Sequence, residues 1–577
     1  MTNETGKKIG IVVGTKDSTP LECWVGIEEV ACVQLDDVVQ ILASNPETGE
    51  QIAYYGLVDR VEKTLEGINF HSDSIRVSEG MLPYSLSYLA HVTITRIEPE
   101  IYTPPHPGLS VYRASGEAFD DALFFSQMKH RLPAGLLQNG QPAWFNFDFI
   151  DGTKGGHVSI SGISGVATKT SYTLFLLHGI FNAPSLPESK QRNAHAIIFN
   201  VKEEDLLYLD QPNNGLQEKH IAMYKKLGLP AMPFQDVSFY APCESEKGEM
   251  VPATVKQEGV KVYGWSLYRI AKEGLLRFLF NEDDNPSSNL SFVLDRVCER
   301  LLELSETADK QVLTTSDGYH QTLKSLQDLH NHLQMILEES EDDECPDPQL
   351  ANRGKRYWFG SNAGGTIKAF LRRLDYSVQH VKAFVRPDMR EAQKVDWQAR
   401  QLTVIDINQL HAKAQMFVVG SVLKQIFEYK ATHRDKQPVF IVLDELNRYA
   451  PRSGWSPIKE MLLDIAERGR SMGLILLGAQ QTASEVEKRI VSNAAIRVNG
   501  RLDGAEASAK EYDYLRGTFK QRAMILRPGS MIIQQPELSS PLMVNVPWPA
   551  WATRAAEVDD RASLSKLEQE LAQDLDL

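Results

Sequence analysis

Residues 157–180 read HVSISGISGVATKTSYTLFLLHGI. A short apolar run at 157–161 leads into a glycine-containing loop, the loop ends in Lys169 and Thr170, and a stretch rich in Leu and Phe follows. A strand, such a loop, Lys-Thr and a helix in this order are typical of the P-loop, which holds nucleotide phosphates. The stretch therefore predicts an α/β core with a phosphate-binding turn at the end of one strand.

Each part of this turn has a predicted role. Backbone N–H groups of the loop and of the first helical turn would surround phosphate oxygens. Lys169 would neutralise charge on the β- and γ-phosphates of ATP, and the Thr170 hydroxyl would ligate Mg²⁺. The candidate nucleotide-binding residues are Gly162, Gly165, Val166, Ala167, Thr168, Lys169, Thr170 and Ser171.

The loop departs from the usual GxxxxGK[ST] pattern. Thr168 replaces the glycine before the lysine, and Ile163 stands at the first glycine position. Glycine matters there because it permits positive φ angles and close approach of the backbone to a ligand. The loop is therefore one residue longer or differently wound, and a Gly/Ser/Thr turn without a ligand is the alternative.

A second signal is an apolar run that ends in two carboxylates. Residues 438–445 read PVFIVLDE. Asp444 would hold Mg²⁺ through its waters, and Glu445 would orient the attacking water or accept its proton. The alternative is a strand that ends in a polar loop without a function. The P-loop candidate upstream in the same sheet favours the interpretation that Asp444 and Glu445 complete the nucleotide site.

The segment after Glu445 predicts a helix at 458–468 and a strand that ends near Gln480. A glutamine at the tip of a strand beside the acidic strand would contact the γ-phosphate. The alternative is a polar loop residue.

Strand candidates are distributed along the whole chain. Short runs in the first 100 residues, such as the alternating 91–96, predict a small barrel, and Pro-rich 104–108 predicts a stiff linker. From about residue 150, strands alternate with helical stretches, as in a parallel α/β sheet. The strand candidates are 157–161, 196–199, 402–405, 439–443 and 474–477.

Helical periodicity at about 262–345 predicts an insertion between the second and third of these strands. It ends in the acidic run 338–344, which we expect to be a solvated loop. Near the C-terminus a leucine stripe predicts a helix that packs on its own domain or on a neighbouring subunit. Its members are Leu564, Leu567, Leu571 and Leu575.

Composition bounds the class of protein. The chain has 577 residues, 42% hydrophobic and 24% charged, and a net charge of −15. No run approaches the ~20 apolar residues of a membrane span, and the first residues lack the apolar centre of a signal peptide, so a cytoplasmic location is expected. The acidic balance argues against a protein that coats nucleic acid with its whole surface, although a basic groove remains compatible with it. The five cysteines show no metal-ligand spacing.

The order of these motifs resembles the HerA branch of the HerA/FtsK ATPases. After the Asp-Glu strand, a helix ends in Arg468-Gly469-Arg470 and a strand ends in Gln480, and the segments 492–497 and 525–529 look like the family's following elements. The resemblance implies an N-terminal β-barrel and a RecA-like P-loop core with a helical insertion. The implied units are a barrel at 1–105, core at 106–261, helical insertion at 262–350, core at 351–548 and a helical tail at 549–577.

The resemblance also implies a homohexameric ring that moves double-stranded DNA through its centre. In such rings an arginine from the neighbouring subunit stabilises transition-state charge, and Arg468 and Arg470 are the candidates. Arginines at a helix end also stabilise the helix dipole, which is the structural alternative. Glu203 and Glu204 follow a strand candidate and are further candidates for the metal or water site, or else a solvated turn.

The altered loop at 165–171 looks like a version found in HerA-like proteins of bacterial anti-phage defence. These pair the ATPase with an effector, a sirtuin-like NAD⁺-consuming enzyme or a nuclease, so this chain would be the motor or the scaffold of such a pair. Either it translocates DNA, or it binds nucleotide and gates the effector with little turnover. A solitary signalling NTPase is a third class.

A basic region at 366–400 is the candidate DNA contact, with paired surface charge as the alternative. Cations also stand beside aromatic residues at 355–358. The basic side chains of the region are Arg372, Arg373, Lys382, Arg386, Arg390, Lys394 and Arg400.

Overall fold

The structure is a computed structural model of the chain. It describes residues 6–28, 30–68, 70–163, 169–202, 206–246, 249–256, 258–280, 289–309 and 311–558.

A closed barrel occupies the N-terminal part of the chain. Within the described residues its strands are neighbours in the order β1-β2-β5-β4-β3-β6. Side chains of β2 alternate between buried and less buried positions, as expected for a sheet with one face on a core. The strands are β1 (Lys8–Val12), β2 (Glu22–Ile27), β3 (Val38–Ser44), β4 (Gln51–Glu66), β5 (Ser85–Glu98) and β6 (Ser110–Arg113), with helix α1 (His71–Ser78) between β4 and β5.

The predicted barrel is confirmed, but it extends past the expected boundary at residue 105. Strand β6 pairs with both β1 and β3 and closes the barrel. The proline-rich segment 104–108 therefore returns the chain to the barrel, where the Gly108 N–H donates to the Val12 carbonyl oxygen over 2.8 Å.

A large mixed sheet forms the second body of the fold. Its order is β12-β11-β16-β10-β17-β18-β9-β19-β20-β21-β7-β8, and β13 pairs with β11. The strands are β7 (Arg131–Leu136), β8 (Pro142–Asn146), β9 (Val158–Ser161), β10 (His195–Asn200), β11 (Val237–Glu246), β12 (Glu249–Pro252), β13 (Val260–Tyr263), β16 (Leu402–Asp406), β17 (Val439–Asp444), β18 (Leu474–Gln480), β19 (Ile496–Asn499), β20 (Ser530–Gln534) and β21 (Leu542–Asn545); β14 (Leu313–Thr314) and β15 (Thr322–Leu323) form a separate pair.

The central strands, from β16 to β19 in the sheet order, are parallel. All of β17 is buried, because helices cover both faces, and such strands read as continuous apolar runs. Ile441 belongs to the core on one face and Phe440 to the core on the other. All the predicted α/β strands are confirmed.

Helices flank this sheet and build the insertion. The predicted helices that follow the phosphate-loop candidate and the acidic strand are confirmed as α3 and α13. The helices are α2 (Glu117–Ala122), α3 (Lys169–Asn182), α4 (Glu188–Arg192), α5 (Glu218–Lys226), α6 (Leu267–Lys272), α7 (Asn289–Glu306), α8 (Leu326–Glu341), α9 (Pro348–Phe359), α10 (Gly364–Val381), α11 (Ala412–His433), α12 (Leu446–Tyr449), α13 (Pro457–Arg468), α14 (Lys488–Ser492), α15 (Gly504–Ala507) and α16 (Phe519–Met524).

The helical insertion is longer than its predicted range of 262–350. Helices α6 to α10 continue to Val381, and the sheet resumes only at β16. The acidic run 338–344 is not wholly a loop, because α8 ends at Glu341. The buried face of α8 includes Leu333 and Leu337, and its packing stabilises the helix as far as the first acidic residues of the run.

The leucine stripe predicted for the C-terminal tail lies outside the described residues. In the described part of the tail, up to residue 558, a short 3-10 turn at Ala555–Glu557 is the helical element. None of the helices that the structure describes is long and apolar enough to cross a bilayer.

Candidate active site

The candidate site lies where parallel central strands end at one edge of the sheet. Strand β18 is inserted between β9 and β17, so the predicted neighbourhood of Gln480 and the acidic strand is confirmed. In the register of the parallel strands, Gln480 of β18 lies beside Ser161 of β9, and Ala479 of β18 lies beside Asp444 of β17. The strand ends, and the start of α3, therefore meet at one place.

Thr170 and Asp444 are in direct contact there. The Thr170 hydroxyl donates to Asp444 Oδ2 over 3.1 Å. The Glu445 N–H donates to Asp444 Oδ1 over 2.9 Å, which fixes the carboxylate. Asp444 is only 6% exposed. A hydroxyl and a carboxylate side by side are the hard oxygen ligands that Mg²⁺ prefers, so these two residues fit the ion.

Lys169 begins α3 and is 3% exposed. Its Nζ lies 4.0 Å from Glu445 Oε1. Burial lowers the pKa of Lys169, and the charges of Glu445 and Asp444 offset part of that effect. A poorly hydrated ammonium at a helix N-terminus is a favourable place for an anion.

Lys202, which was not among the predicted site residues, contacts both carboxylates. Its Nζ lies 2.9 Å from Asp444 Oδ2 and 3.3 Å from Glu445 Oε1. Burial opposes the charged form, but attraction to Asp444 and then Glu445 outweighs it and raises the pKa of Lys202. The available signal was its position just after β10, which pairs with β17. Glu203 and Glu204 lie outside the described residues.

Glu445 has the backbone conformation of a left-handed turn, with φ 57° and ψ 50°. Such a conformation costs a non-glycine residue roughly 1–3 kcal/mol and is concentrated at functional sites. Its carboxylate accepts a hydrogen bond from Gln481 Nε2 over 3.1 Å. Gln481, which sequence reasoning did not single out, therefore orients the carboxylate.

Gln480 is fully buried and points towards the neighbouring strand β9. Its Nε2 donates to Ser159 Oγ over 2.8 Å and to Ser161 Oγ over 3.0 Å. Its Oε1 has no hydrogen-bond partner in the described part of the chain. Gln480 thus links β18 to β9, the strand that precedes the phosphate-loop candidate. The next residue, Gln481, contacts Glu445 instead.

Arg468 and Arg470 lie beyond the amino ends of the central strands, whereas Asp444 is at their carboxyl ends. Arg468 forms an ion pair with Asp464 at 2.6 Å, and Arg470 donates to the carbonyl oxygens of Gly152 and Thr153. Both precede β18, which has 7 residues and therefore spans about 20 Å at ~3.3 Å per residue. Within one subunit they are not brought to Asp444.

The described ends of the loop are held by the backbone of neighbouring segments. The Gly162 N–H donates to the Gln480 carbonyl oxygen over 3.2 Å, and the Ile163 N–H donates to that of Arg501 over 2.8 Å. Ser171 lies in the first turn of α3. The loop candidates Gly165, Val166, Ala167 and Thr168 lie outside the described residues.

The sequence matches no family model, and no curated protein matches it. Among solved structures, the plasmid coupling protein TrwB in complex with ADP and Mg²⁺ is similar over 75% of this chain and 94% of its own, with 12% identity and a TM-score of 0.46. VirB4 of Thermoanaerobacter pseudethanolicus is similar over 73% of this chain and 96% of its own, with 13% identity and a TM-score of 0.39. The genome packaging NTPase B204 from Sulfolobus turreted icosahedral virus 2, in complex with ATP-gammaS, covers 26% of this chain and 69% of its own, with 12% identity and a TM-score of 0.20. Likeness at these values assigns no activity to this chain.

Proposed function

We propose that the chain is an Mg²⁺-dependent ATPase that acts as the motor subunit of a ring-forming DNA translocase. The observation that carries the ATPase is the 3.1 Å hydrogen bond between Thr170 and Asp444. It joins the first turn of the phosphate-binding helix to the end of the acidic strand. The buried Lys169 on the same helical turn supplies the positive charge that a triphosphate requires.

Each residue of the site has a separate task in this proposal. Lys169 and the N-terminus of α3 bind the β- and γ-phosphates. Thr170 and Asp444 hold Mg²⁺, which neutralises phosphate charge as the terminal phosphoryl group leaves. Glu445 orients the attacking water and accepts its proton, and Gln481 holds that carboxylate in place.

The two arginines can act on a bound nucleotide only across a boundary between subunits. Arg468 and Arg470 are separated from Asp444 by the length of β18, so a contribution to the transition state requires a second subunit. The resemblance to HerA proteins makes a homohexamer around double-stranded DNA the assembly that we propose. The protein would work in the cytoplasm.

Helix α10 is the DNA contact that we favour, because it carries Arg372 and Arg373. Three further cations of the same region form ion pairs with carboxylates. Arg386 pairs with Asp388 at 2.5 Å, Lys394 with Glu391 at 3.3 Å and Arg400 with Asp236 at 2.8 Å. Trp358 is fully buried and donates to Asp317, so it is a core residue rather than a platform for a base.

A second candidate function is a nucleotide-regulated scaffold that assembles and gates an effector in anti-phage defence. The effector would be a sirtuin-like NAD⁺-consuming enzyme or a nuclease. The observation that favours slow basal turnover is the contact of Lys202 with both site carboxylates. ATP turnover that controls the effector would unite the two functions.

The test is ATP hydrolysis with and without double-stranded DNA, measured together with the mass in solution. We expect a ring-sized assembly whose turnover rises with DNA, and loss of turnover in Lys169→Ala and Glu445→Ala with unchanged melting temperature. Lys256→Ala is the control, since Lys256 pairs with Asp210 at 2.9 Å outside the site. Normal turnover in either site variant would refute the assignment, whereas a ring without a DNA response would favour the scaffold.

Mixed rings test the role of the arginines. Glu445→Ala subunits and subunits with both Arg468→Ala and Arg470→Ala are each expected to be inactive alone. If the arginines act on the neighbour's nucleotide, a mixture contains interfaces with both intact groups and regains part of the activity. A mixture as inactive as its components would contradict an intersubunit role.

A further inference from the structure

A cavity of about 420 Å³ opens beside the first two turns of α3. Its volume lies in the range of ~300–1,000 Å³ that is usual for sites of small molecules. Ser171 and Phe175 form the wall on the helix side, and Met223, Pro528 and Trp548 face them from other segments. The lining is thus mainly apolar, with polar groups at a few positions.

The cavity begins next to the residues that we assign to the phosphates. Ser171 follows Thr170 directly, and successive residues of a helix point about 100° apart. Thr170 therefore faces Asp444 while Ser171 lines the cavity. Ser171 and Phe175 are four residues apart and share one face of the helix. A ligand held at Lys169 and Thr170 can extend into the cavity along this face.

The wall opposite α3 is an aromatic ring that the fold holds in place. Trp548 follows strand β21, and its Nε1 donates to Asn213 Oδ1 over 3.3 Å. The Trp548 ring stacks on His220 with the centroids 6.3 Å apart and the planes at 25°. The His220 Nδ1 accepts a hydrogen bond from the Gln217 N–H over 3.2 Å. The indole is therefore oriented before any ligand binds.

From this arrangement we infer that the cavity is the nucleobase subsite of the nucleotide site, in which the base packs against Trp548. The inference rests on the proposed ATPase function, since the phosphates must be bound at Lys169 and Thr170. Stacking of a base on an aromatic side chain tolerates any base because every base has a π-face. Ser171, Lys219 and His220 supply the polar groups that line the cavity.

Binding of ATP and of inorganic tripolyphosphate separates the two ends of the site. We expect Trp548→Ala to weaken ATP binding about tenfold, in line with the loss of one base–aromatic stack, and to leave tripolyphosphate binding unchanged. Trp548→Phe keeps an aromatic face and should retain most of the affinity for ATP. Trp455→Ala removes a tryptophan from a different cavity and serves as the matched control.

The outcomes distinguish this inference from the function on which it rests. If the unsubstituted protein binds neither ligand, the proposed function fails. If it binds both and Trp548→Ala binds ATP normally, the subsite is refuted. Equal weakening of both ligands in Trp548→Ala would also refute it, because the tryptophan would then support the whole site. Melting temperatures of all variants show whether each one is folded.

Discussion

The ammonium of Lys202 lies 2.9 Å from Asp444 Oδ2, the same oxygen that accepts a hydrogen bond from the Thr170 hydroxyl. That oxygen belongs to the carboxylate to which we assign Mg²⁺. A lysine so placed neutralises the acidic pair in the free site, and an arriving metal ion competes with it for the same charge. We therefore expect Mg²⁺ to displace the Lys202 side chain from Asp444.

We expect Lys202→Met to lower the Mg²⁺ concentration that gives half-maximal ATP turnover by about three- to tenfold. The reason is that the metal no longer displaces a charged hydrogen bond of ~1.5–3 kcal/mol, part of which solvent compensates at this half-exposed group. The measurement is a Mg²⁺ titration at saturating ATP. Lys256→Met, which breaks the ion pair with Asp210, should leave the midpoint unchanged. An unchanged midpoint in Lys202→Met would show that the lysine does not compete with the metal.

Two adjacent glutamines should respond differently to substitution. Gln481→Ala removes the hydrogen bond to Glu445, so we expect kcat to fall about tenfold with little change in KM or melting temperature. Misplacement of a reacting group by about 1 Å can cost ~100-fold in rate, and loss of this single contact should cost less. Steady-state kinetics and thermal unfolding measure both quantities.

For Gln480→Ala the expected loss is mainly in stability, because two buried hydrogen bonds to Ser159 and Ser161 disappear. Each is worth about 1 kcal/mol of unfolding free energy. If Gln480→Ala lost turnover while its stability stayed normal, Gln480 would act at the nucleotide, as the sequence predicts, and not mainly in the core of the sheet.

The strands of the α/β core were predictable because strands buried on both faces read as continuous apolar runs. The local sequence also singles out Lys169, Thr170, Asp444 and Glu445, since a strand that runs into a loop with Lys-Thr, and an apolar strand that ends in Asp-Glu, are local patterns. The geometry then brings Thr170 and Asp444 into contact. That contact joins residues 274 positions apart, which a local pattern indicates only through the type of fold.

Features that depend on long-range pairing were not predictable. Strand β6 closes the barrel by pairing with β1 and β3, but locally it follows a proline-rich segment and looks like the start of the next domain. Lys202 and Gln481 belong to the site because of the strands that neighbour them and because of the direction of their side chains. Trp358 stands beside cations in the sequence, yet its indole points into the helical core.

Nucleotide affinity should fall at alkaline pH as Lys169 loses its proton. Burial lowers the pKa of Lys169 from its usual 10.5, and the charged form binds phosphate. Affinity is therefore full below the pKa of Lys169 and declines as the pH rises through it, starting below pH 10.5. Lys202 keeps its charge in this interval because its pKa is raised. The measurement is the Kd of ATP from pH 7 to 10.

Lys169→Ala is the control for that pH series. Its affinity should be weaker throughout and should lack the decline that the unsubstituted protein shows. If both proteins lost affinity in parallel as the pH rose, the titrating group would be another one.

Acid should destabilise the protein through His157, which precedes β9 and is 4% exposed. Its Nε2–H donates to the Ala466 carbonyl oxygen over 3.1 Å, and its Nδ1 accepts from the Leu476 N–H over 3.0 Å, so the neutral ring is the bonded form. Burial lowers the pKa of His157 from 6.5 to about 4. The contribution of the neutral His157 ring to the free energy of unfolding is therefore complete above pH 6.5 and is lost as the pH falls towards 4. Each pH unit in that interval costs about 1.4 kcal/mol, or about 2 kcal/mol between pH 6.5 and 5.

Chemical denaturation at pH 7 and pH 5 measures this loss. The loss of unfolding free energy should be smaller by that amount in His157→Gln and unaltered in the exposed control His106→Gln. An equal acid loss in His157→Gln and the unsubstituted protein would place the titration elsewhere.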